Sequence, residues 1–275
     1  MVKAAKASAT GGDAAVEDGV IDVSVVVPVY RCADALPELA RRVARALTEA
    51  GHRHELILVD DASPDDAAEV ARQLAADPAV GYLCLDPNQG QQRALLAGLS
   101  AARGAWCVVL DGDLQDPPEA IPALLALGRG GYDCVFAGRR GRYQSFARML
   151  TSRAFKWLQH RLAGVPRDAG LFAALSRRMV VALLSDPDPW PWVVPMIGAT
   201  GLPLAALPVE RRRRSPGGSA YTPAMRLASG LGAVACALRH RRRPNLAGGV
   251  EASVDRTACV VEHGGACALV RPVAP

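Results

Sequence analysis

What this chain lacks narrows its function before any motif is read. No apolar stretch reaches the roughly eighteen residues that cross a bilayer, and the segment from Met1 to Gly19 has no apolar core of a secretory signal. The expected location is the cytoplasm. The seven cysteines (32, 84, 107, 134, 236, 259 and 267) form no CxxC pair, which argues against disulfide or metal roles. Cys84, Cys107 and Cys134 lie in apolar runs, where a thiol packs as a small hydrophobe. No GxGxxG follows the first apolar run and no GxxxxGK[ST] occurs anywhere, which disfavours a dinucleotide dehydrogenase and a P-loop ATPase. Aromatic residues make up 5% of the chain and do not interleave with its basic clusters, so a nucleic-acid partner is not expected. The five histidines (52, 54, 160, 240 and 263) occupy no evident catalytic motif.

What is present reads as an α/β protein. With 275 residues and 50% hydrophobic content, mostly Ala, Val and Leu, one main domain is the simplest organisation. Residues 1–20 read as a disordered leader. Val23 to Val29 is a β-branched run suited to a buried parallel strand. A helical pattern over about 34–50 follows, then a strand at Glu55 to Val59 and a helix from Pro64 with Ser63 as its cap. Beyond these come a strand near 80–85, a helix over about 91–102, a strand at 106–110, a helix from Pro117 and a strand at 133–137. Such alternation implies a mostly parallel sheet with helices on both faces.

Charge and periodicity then diverge along the chain. The net charge of +5 is concentrated late, in Arg211 to Arg214 and in Arg239 with Arg241 to Arg243, which points to an anionic partner. After Gly138, Arg139, Arg140, Arg142, Arg148 and Arg153 surround a helix-like stretch over about 144–163; they form either a solvated face or a phosphate-recognising one. Leu227, Leu231, Val234 and Leu238 share a helical stripe with basic residues at both ends, which fits core packing and a helix lying on a membrane surface equally. From Pro244 onward the composition is that of a loosely ordered tail.

The most informative string is Asp111-Gly112-Asp113-Leu114-Gln115-Asp116-Pro117-Pro118-Glu119, which the apolar run from Trp106 to Leu110 leads into. Open α/β sheets bind ligands where a buried strand ends in this way. Carboxylates so close together repel unless a cation or donors neutralise them. Asp111, Asp113 and Gln115 alternate, so in an extended chain they would point the same way. An oxygen-seeking ion, Mg2+ or Mn2+, suits them better than zinc, because no His or Cys lies among them. Asp116 has a second reading as a helix N-cap, with Pro117 at the first helical position and Glu119 completing a capping box.

Four motifs in order, Val27-Pro28-Val29-Tyr30, Val59-Asp60-Asp61-Ala62-Ser63, Asn88-Gln89-Gly90 with Ala94 and Gly98, and the string from Asp111 to Pro117, resemble the family 2 glycosyltransferases of GT-A fold. Within them the chain looks most like the dolichol-phosphate mannose synthase and polyprenyl-phosphate glycosyltransferase branch, over about residues 22–240. The resemblance implies a GT-A domain over 21–224; the helical stripe and the composition after it add an amphipathic basic helix over 225–243 and a loosely ordered tail over 244–275. It implies a nucleotide-sugar donor held by Pro28, Val29, Tyr30, Asp61, Gly90, Asp111 and Gly112, with Asp61 accepting from the base ring N–H. Asp60 beside it is also readable as a turn residue. The metal, Mg2+ or Mn2+, would be held by Asp111, Asp113 and Gln115, and Asp113, Asp116 and Arg139 would form the catalytic set. Arg142, Arg148, Arg211, Arg214 and Ser219 would bind the acceptor phosphate.

The implied reaction is inverting transfer of a sugar from a UDP- or GDP-sugar to a polyprenyl or dolichyl monophosphate, at an anionic membrane surface on the cytoplasmic face. A phosphate oxyanion is already a nucleophile, so no strong base is required; a hydroxyl acceptor would need one, and Asp116 or Asp168 would be the candidates. The chain departs from the family in Arg31-Cys32 after the tyrosine, in Leu171 and Ala173 ahead of Ser176-Arg177, and in Ala220. These departures leave two alternatives: the same donor site with a soluble acceptor such as a specialised metabolite or its phosphate, and a non-catalytic scaffold that binds nucleotide or membrane.

Overall fold

The computed structural model describes residues 20–140, 157–186, 188–211 and 223–241. Within them the chain runs through β1 (Val23–Val29), α1 (Leu36–Glu49), β2 (His54–Asp60), α2 (Ala67–Leu74), β3 (Val80–Cys84), α3 (Gln91–Ala101), β4 (Trp106–Val109) and α4 (Ile121–Arg129). It continues through β5 (Cys134–Arg140), a helical stretch α5 over 157–163, β6 (Ala173–Ser176), α6 (Arg177–Leu184), α7 (Val193–Ala199), β7 (Leu204–Glu210) and α8 (Pro223–Arg241). The strands form one sheet in the order β3-β2-β1-β4-β6-β5-β7. β1 to β4 are mutually parallel and β5 is parallel to β7, whereas β6 runs antiparallel to both of its neighbours.

Side-chain alternation along the strands divides the core into two layers. Val26, Ile57, Val59, Cys107, Val109 and Phe136 face a layer closed by α3, α6, α7 and α8. Val25, Val27, Leu56, Leu58, Val108 and Val135 face the other, closed by α1, α2 and α4. Helices on both faces are what the alternation of strands and helices predicts. α3 lies unusually close to the sheet, because a Cβ on Gly98 would stand 2.3 Å from Val26 Cγ1 and 2.9 Å from Val59 Cγ2. Glycine is the residue that permits this approach.

The connection from β1 goes to β2 on one side, while β4 lies on its other side, so a crevice opens between β1 and β4 at their carboxyl ends. Pro28 fits here for a local reason. Strand residues alternate the side to which they present their backbone groups, and Val26, whose carbonyl accepts from Leu110 N at 3.1 Å, faces β4. Pro28 faces the same way, but the β1–β4 pairing has stopped at Val26 and Val109, so its missing N–H leaves no ladder bond unmade.

The structure corrects several local expectations. Ser63 does not cap a helix from Pro64: α2 starts at Ala67 after Asp66, and Ser63 Oγ instead accepts from Arg31 N at 2.8 Å. Asp116, Pro117 and Glu119 do not form a capping box either. A 3-10 turn spans Pro118–Ala120 with no side-chain cap, and α4 begins at Ile121. Asp111 to Gln115 is not extended but turns at Gly112 and Asp113. Among the described side chains of α8 the buried ones are Ala233, Cys236, Ala237 and His240, while Leu231 and Leu238 are 63% and 46% exposed. Leu231 and Leu238 of the stripe therefore face outward, Val234 is half-buried, and the side chain of Leu227 lies outside the described residues. None of the described helices is long and apolar enough to cross a membrane.

Candidate active site

Three loops, each leaving the carboxyl end of a parallel strand, build the site. Each contains one residue other than glycine in the left-handed region: Arg31 (φ 55°) after β1, Ala62 (φ 51°) after β2 and Leu114 (φ 59°) after β4. Such backbone is costly for residues with a Cβ and persists where surrounding bonds hold it. Those bonds are present. Asp61 N donates to Val29 O at 3.1 Å, Arg31 N to Ser63 Oγ, and Ala33 N to Asp65 Oδ2 at 3.3 Å, tying the first loop to the second.

Asp61, 3% exposed, is the hinge between the second loop and the segment before α3. Its Oδ1 accepts from Gln89 N at 2.6 Å and its Oδ2 from Gly90 N at 2.8 Å, while Asn88 Nδ2 donates to its carbonyl at 2.6 Å. Each carboxylate oxygen keeps a second lone pair with which it can accept from a ligand. Gly90 has φ 87° and ψ 152°, a conformation for glycine alone, and a Cβ there would meet nothing within 4 Å. Asp60 is the turn residue: Ser63 N donates to its Oδ1 at 3.1 Å. Burial, aided by the carboxylates of Asp61 and Asp65, pushes the Asp60 carboxyl above the usual range.

The string after β4 separates into three parts. Asp111 Oδ1 accepts from Gln91 Nε2 at 2.9 Å, and its Oδ2 lies 3.5 Å from an Arg211 terminal nitrogen. Asp113 Oδ1 accepts from Gln115 N at 3.1 Å, closing the turn in which Gly112 packs against Cys32 and Pro28 O. Asp116, 3% exposed, belongs to Arg211: a terminal nitrogen donates to Oδ2 at 3.0 Å, and Nε approaches Oδ1 at 2.7 Å at an angle unsuited to a hydrogen bond. Glu119 belongs to the scaffold, because Arg42 of α1 donates from Nε to its Oε1 at 2.8 Å in a two-point pair.

Pro28 and Val29 end β1 and Tyr30 follows it, 41% exposed, with the Arg31 guanidinium 5.4 Å from its ring centroid. Arg211, just after β7, is brought to Asp111 and Asp116 from about a hundred residues away. Arg139 occupies β5 opposite Val209, and its side chain is outside the described residues, as are Arg142, Arg148, Arg214 and Ser219. Asp168 is exposed and lies against Gly138 of β5. Gln91 was not anticipated as a site residue; its place at the start of α3, directly after Asn88-Gln89-Gly90, is the signal that marks it. Asp111, Asp113 and Gln115 offer oxygen donors of the type a hard divalent cation takes, and in this structure the Asp111 oxygens face the Gln91 amide and the Arg211 guanidinium.

Residues 24–179 match the family model described as glycosyl transferase family 2. Undecaprenyl-phosphate 4-deoxy-4-formamido-L-arabinose transferase of Pseudomonas savastanoi pv. phaseolicola is 38% identical over 210 residues, 74% of this chain and 62% of that protein. The enzyme of the same name from Shewanella sediminis is 38% identical over 205 residues, 72% and 61% of the two chains. The chain thus spans about three fifths of the length of these relatives. Among solved structures, glucosyl-3-phosphoglycerate synthase from Mycobacterium tuberculosis, in complex with Mn2+, UDP and phosphoglyceric acid, superposes with a TM-score of 0.60 at 20% identity, covering 82% of this chain and 80% of that one. The fold is GT-A.

Proposed function

The chain belongs to glycosyl transferase family 2, and we propose that it is an inverting, metal-dependent glycosyltransferase that moves a sugar from a UDP- or GDP-sugar to a polyprenyl monophosphate. The observation that supports this reading is the placement of Asp61 after β2 and of Asp111, paired with Arg211, after β4, at the ends of the strands that flank the crevice, with Asp113 in the turn that follows. The relatives named for undecaprenyl phosphate support the acceptor.

Tyr30 and Asp61 receive the base, Asp61 through the lone pairs left by Gln89 N and Gly90 N. Asp111, Asp113 and Gln115 would hold Mg2+ or Mn2+, which would supply Lewis-acid stabilisation to the leaving diphosphate. Gln91 keeps Asp111 turned toward the crevice, and Arg211 provides a further positive charge beside the departing group. An acceptor phosphate oxygen forms the bond to the anomeric carbon from the face opposite the diphosphate, the anomeric carbon–oxygen bond breaks, and the nucleoside diphosphate leaves with the electron pair. No proton must be removed from such an acceptor. The engagement of both Asp116 oxygens by Arg211 suits a site that has no need of that carboxylate as a base.

The acceptor is presented at the cytoplasmic face by peripheral docking on anionic lipid. Leu231 and Leu238 of α8 and Trp190, 72% exposed, supply apolar contact, and exposed Arg241 ends the helix with positive charge. The full chain, incubated with labelled UDP- and GDP-sugars, Mn2+ or Mg2+ and polyprenyl phosphate, should yield chloroform-extractable label with at least one donor. Label on an unphosphorylated acceptor, with none extracted with the lipid phosphate, would overturn the acceptor assignment.

A further inference from the structure

On the side of the molecule where α8 packs against α7 and the segment before it, a buried group of side chains plays no part in the proposed transfer. Asp188 Oδ2, Cys236 Sγ and His240 Nδ1 lie close together and are all buried. Sγ is 3.6 Å from Asp188 Oδ2 and 3.5 Å from His240 Nδ1, and Nδ1 is 3.5 Å from Oδ2. Zinc bound tetrahedrally by thiolate, imidazole and carboxylate at ordinary bond lengths separates its ligand atoms by about 3.3 to 3.6 Å. The three observed distances lie within about 0.2 Å of those edges.

The surroundings complete the pattern. Cys236 and His240 are four apart on α8 and so share one helical face. His240 Nε2 meets the carboxylate of Asp186, also buried, the outer-shell partner that fixes a ligating imidazole with Nδ1 toward the metal. Acceptors crowd that nitrogen, since Cys236 O is 3.0 Å from Nδ1 in addition to Asp188 Oδ2. Nδ1 therefore presents to them either its own N–H or a bound metal ion. Arg239 donates to both oxygens of Asp188 at 3.1 Å. With a divalent ion, the thiolate, the two carboxylates and the Arg239 guanidinium sum to zero charge, so occupancy by such an ion would leave no net charge buried. The Trp192 carbonyl oxygen lies 4.0 Å from Sγ, on the border of this group.

We propose that Asp188, Cys236 and His240 form a structural zinc site, with Asp186 orienting His240. The site pins α8 to the segment of residues 188–193, whose contacts reach the start of α3: Arg93 donates to Pro189 O at 3.0 Å, and Val193 N to Gln92 Oε1 at 2.9 Å. Zinc is favoured over Mg2+ or Mn2+ by the thiolate and imidazole donors. This site and the oxygen-lined cluster of Asp111 and Asp113 are thus distinguished by ligand chemistry.

The test is cobalt substitution of the full chain under reducing conditions. The expected spectrum has a thiolate-to-cobalt charge-transfer band with the intense visible bands of tetrahedral cobalt, titrating to about one equivalent. The band should survive Cys32→Ser, which removes the thiol packed beside Gly112, and vanish in Cys236→Ser. Zinc added back should bleach it, and chelation should lower the melting temperature of the wild type by several degrees, but not that of Cys236→Ser. Absence of a charge-transfer band from folded wild-type protein, or a band retained in Cys236→Ser, would overturn the proposal. The wild-type spectrum decides even if a variant fails to fold.

Discussion

Replacing Asp61 by Asn probes the point where fold and site are joined. The carboxylate accepts from Gln89 N at 2.6 Å and from Gly90 N at 2.8 Å. An amide of the same shape has one acceptor oxygen, so one backbone N–H would face an NH2 group and lose its partner in a buried position. A hydrogen bond to a charged group contributes about 1.5–3 kcal/mol. At roughly 2–4 °C per kcal/mol, the melting temperature should fall by about 3–12 °C. The change should also reach the nucleotide, because the loosened segment leads into Gln91, which holds Asp111. Affinity for UDP or GDP in Mn2+ should weaken by at least about tenfold, or 1.4 kcal/mol. Differential scanning fluorimetry and calorimetric titration of the same preparations measure both quantities. An Asp61→Asn protein that melts and binds nucleotide as the wild type does would refute the reasoning.

Three further outcomes follow from the geometry. Asp60 has a raised carboxyl pKa in the folded state, so folding favours its protonated form; its contribution is fully present below the ordinary carboxylate range and is lost as pH rises through the raised value. Asp60→Asn should therefore stabilise the protein at neutral pH, with the gain shrinking as the medium is acidified toward pH ~4, and melting curves across pH check this. Gly98→Ala forces a methyl to within 2.3 Å of Val26 Cγ1 and should cost about 1–3 kcal/mol, seen as a melting temperature lower by several degrees and partly restored by Val26→Ala. Leu231→Glu with Leu238→Glu changes two exposed positions, so the melting temperature should hold while flotation with anionic vesicles is lost.

The central strands and most of their helices were legible because β-branched runs such as Val23 to Val29 separate cleanly from the helical segments. β6 was not: Ala173–Ser176 is four residues of small and helix-compatible type, and it gains its strand character from pairing with β4 and β5. β7 contains Pro208, which is tolerated because this strand forms an edge of the sheet. At the site, the string from Asp111 to Glu119 advertised its importance, but its division of labour depends on Arg211 and Arg42, each distant in sequence. Ser63 misled for a related reason, since the loop after β1 claims its hydroxyl. On α8 the outward direction of Leu231 and Leu238 depends on Ala233, Cys236 and Ala237 fitting closely against the core. Cys236 and His240 could not be paired with Asp188 by spacing alone, because Asp188 precedes Cys236 by 48 positions.

The claim that the crevice grips a nucleotide diphosphate through a divalent ion is tested most directly by nucleotide titration of the wild type and Asp113→Asn, with and without Mn2+. Asparagine can keep the bond from Gln115 N and so preserve the turn while removing the charge. The account predicts that Mn2+ tightens UDP or GDP binding by about tenfold or more in the wild type, some 1.4 kcal/mol, and that Asp113→Asn abolishes the gain without lowering the melting temperature. Nucleotide binding that is indifferent to Mn2+, or a metal effect that persists in Asp113→Asn, would contradict it.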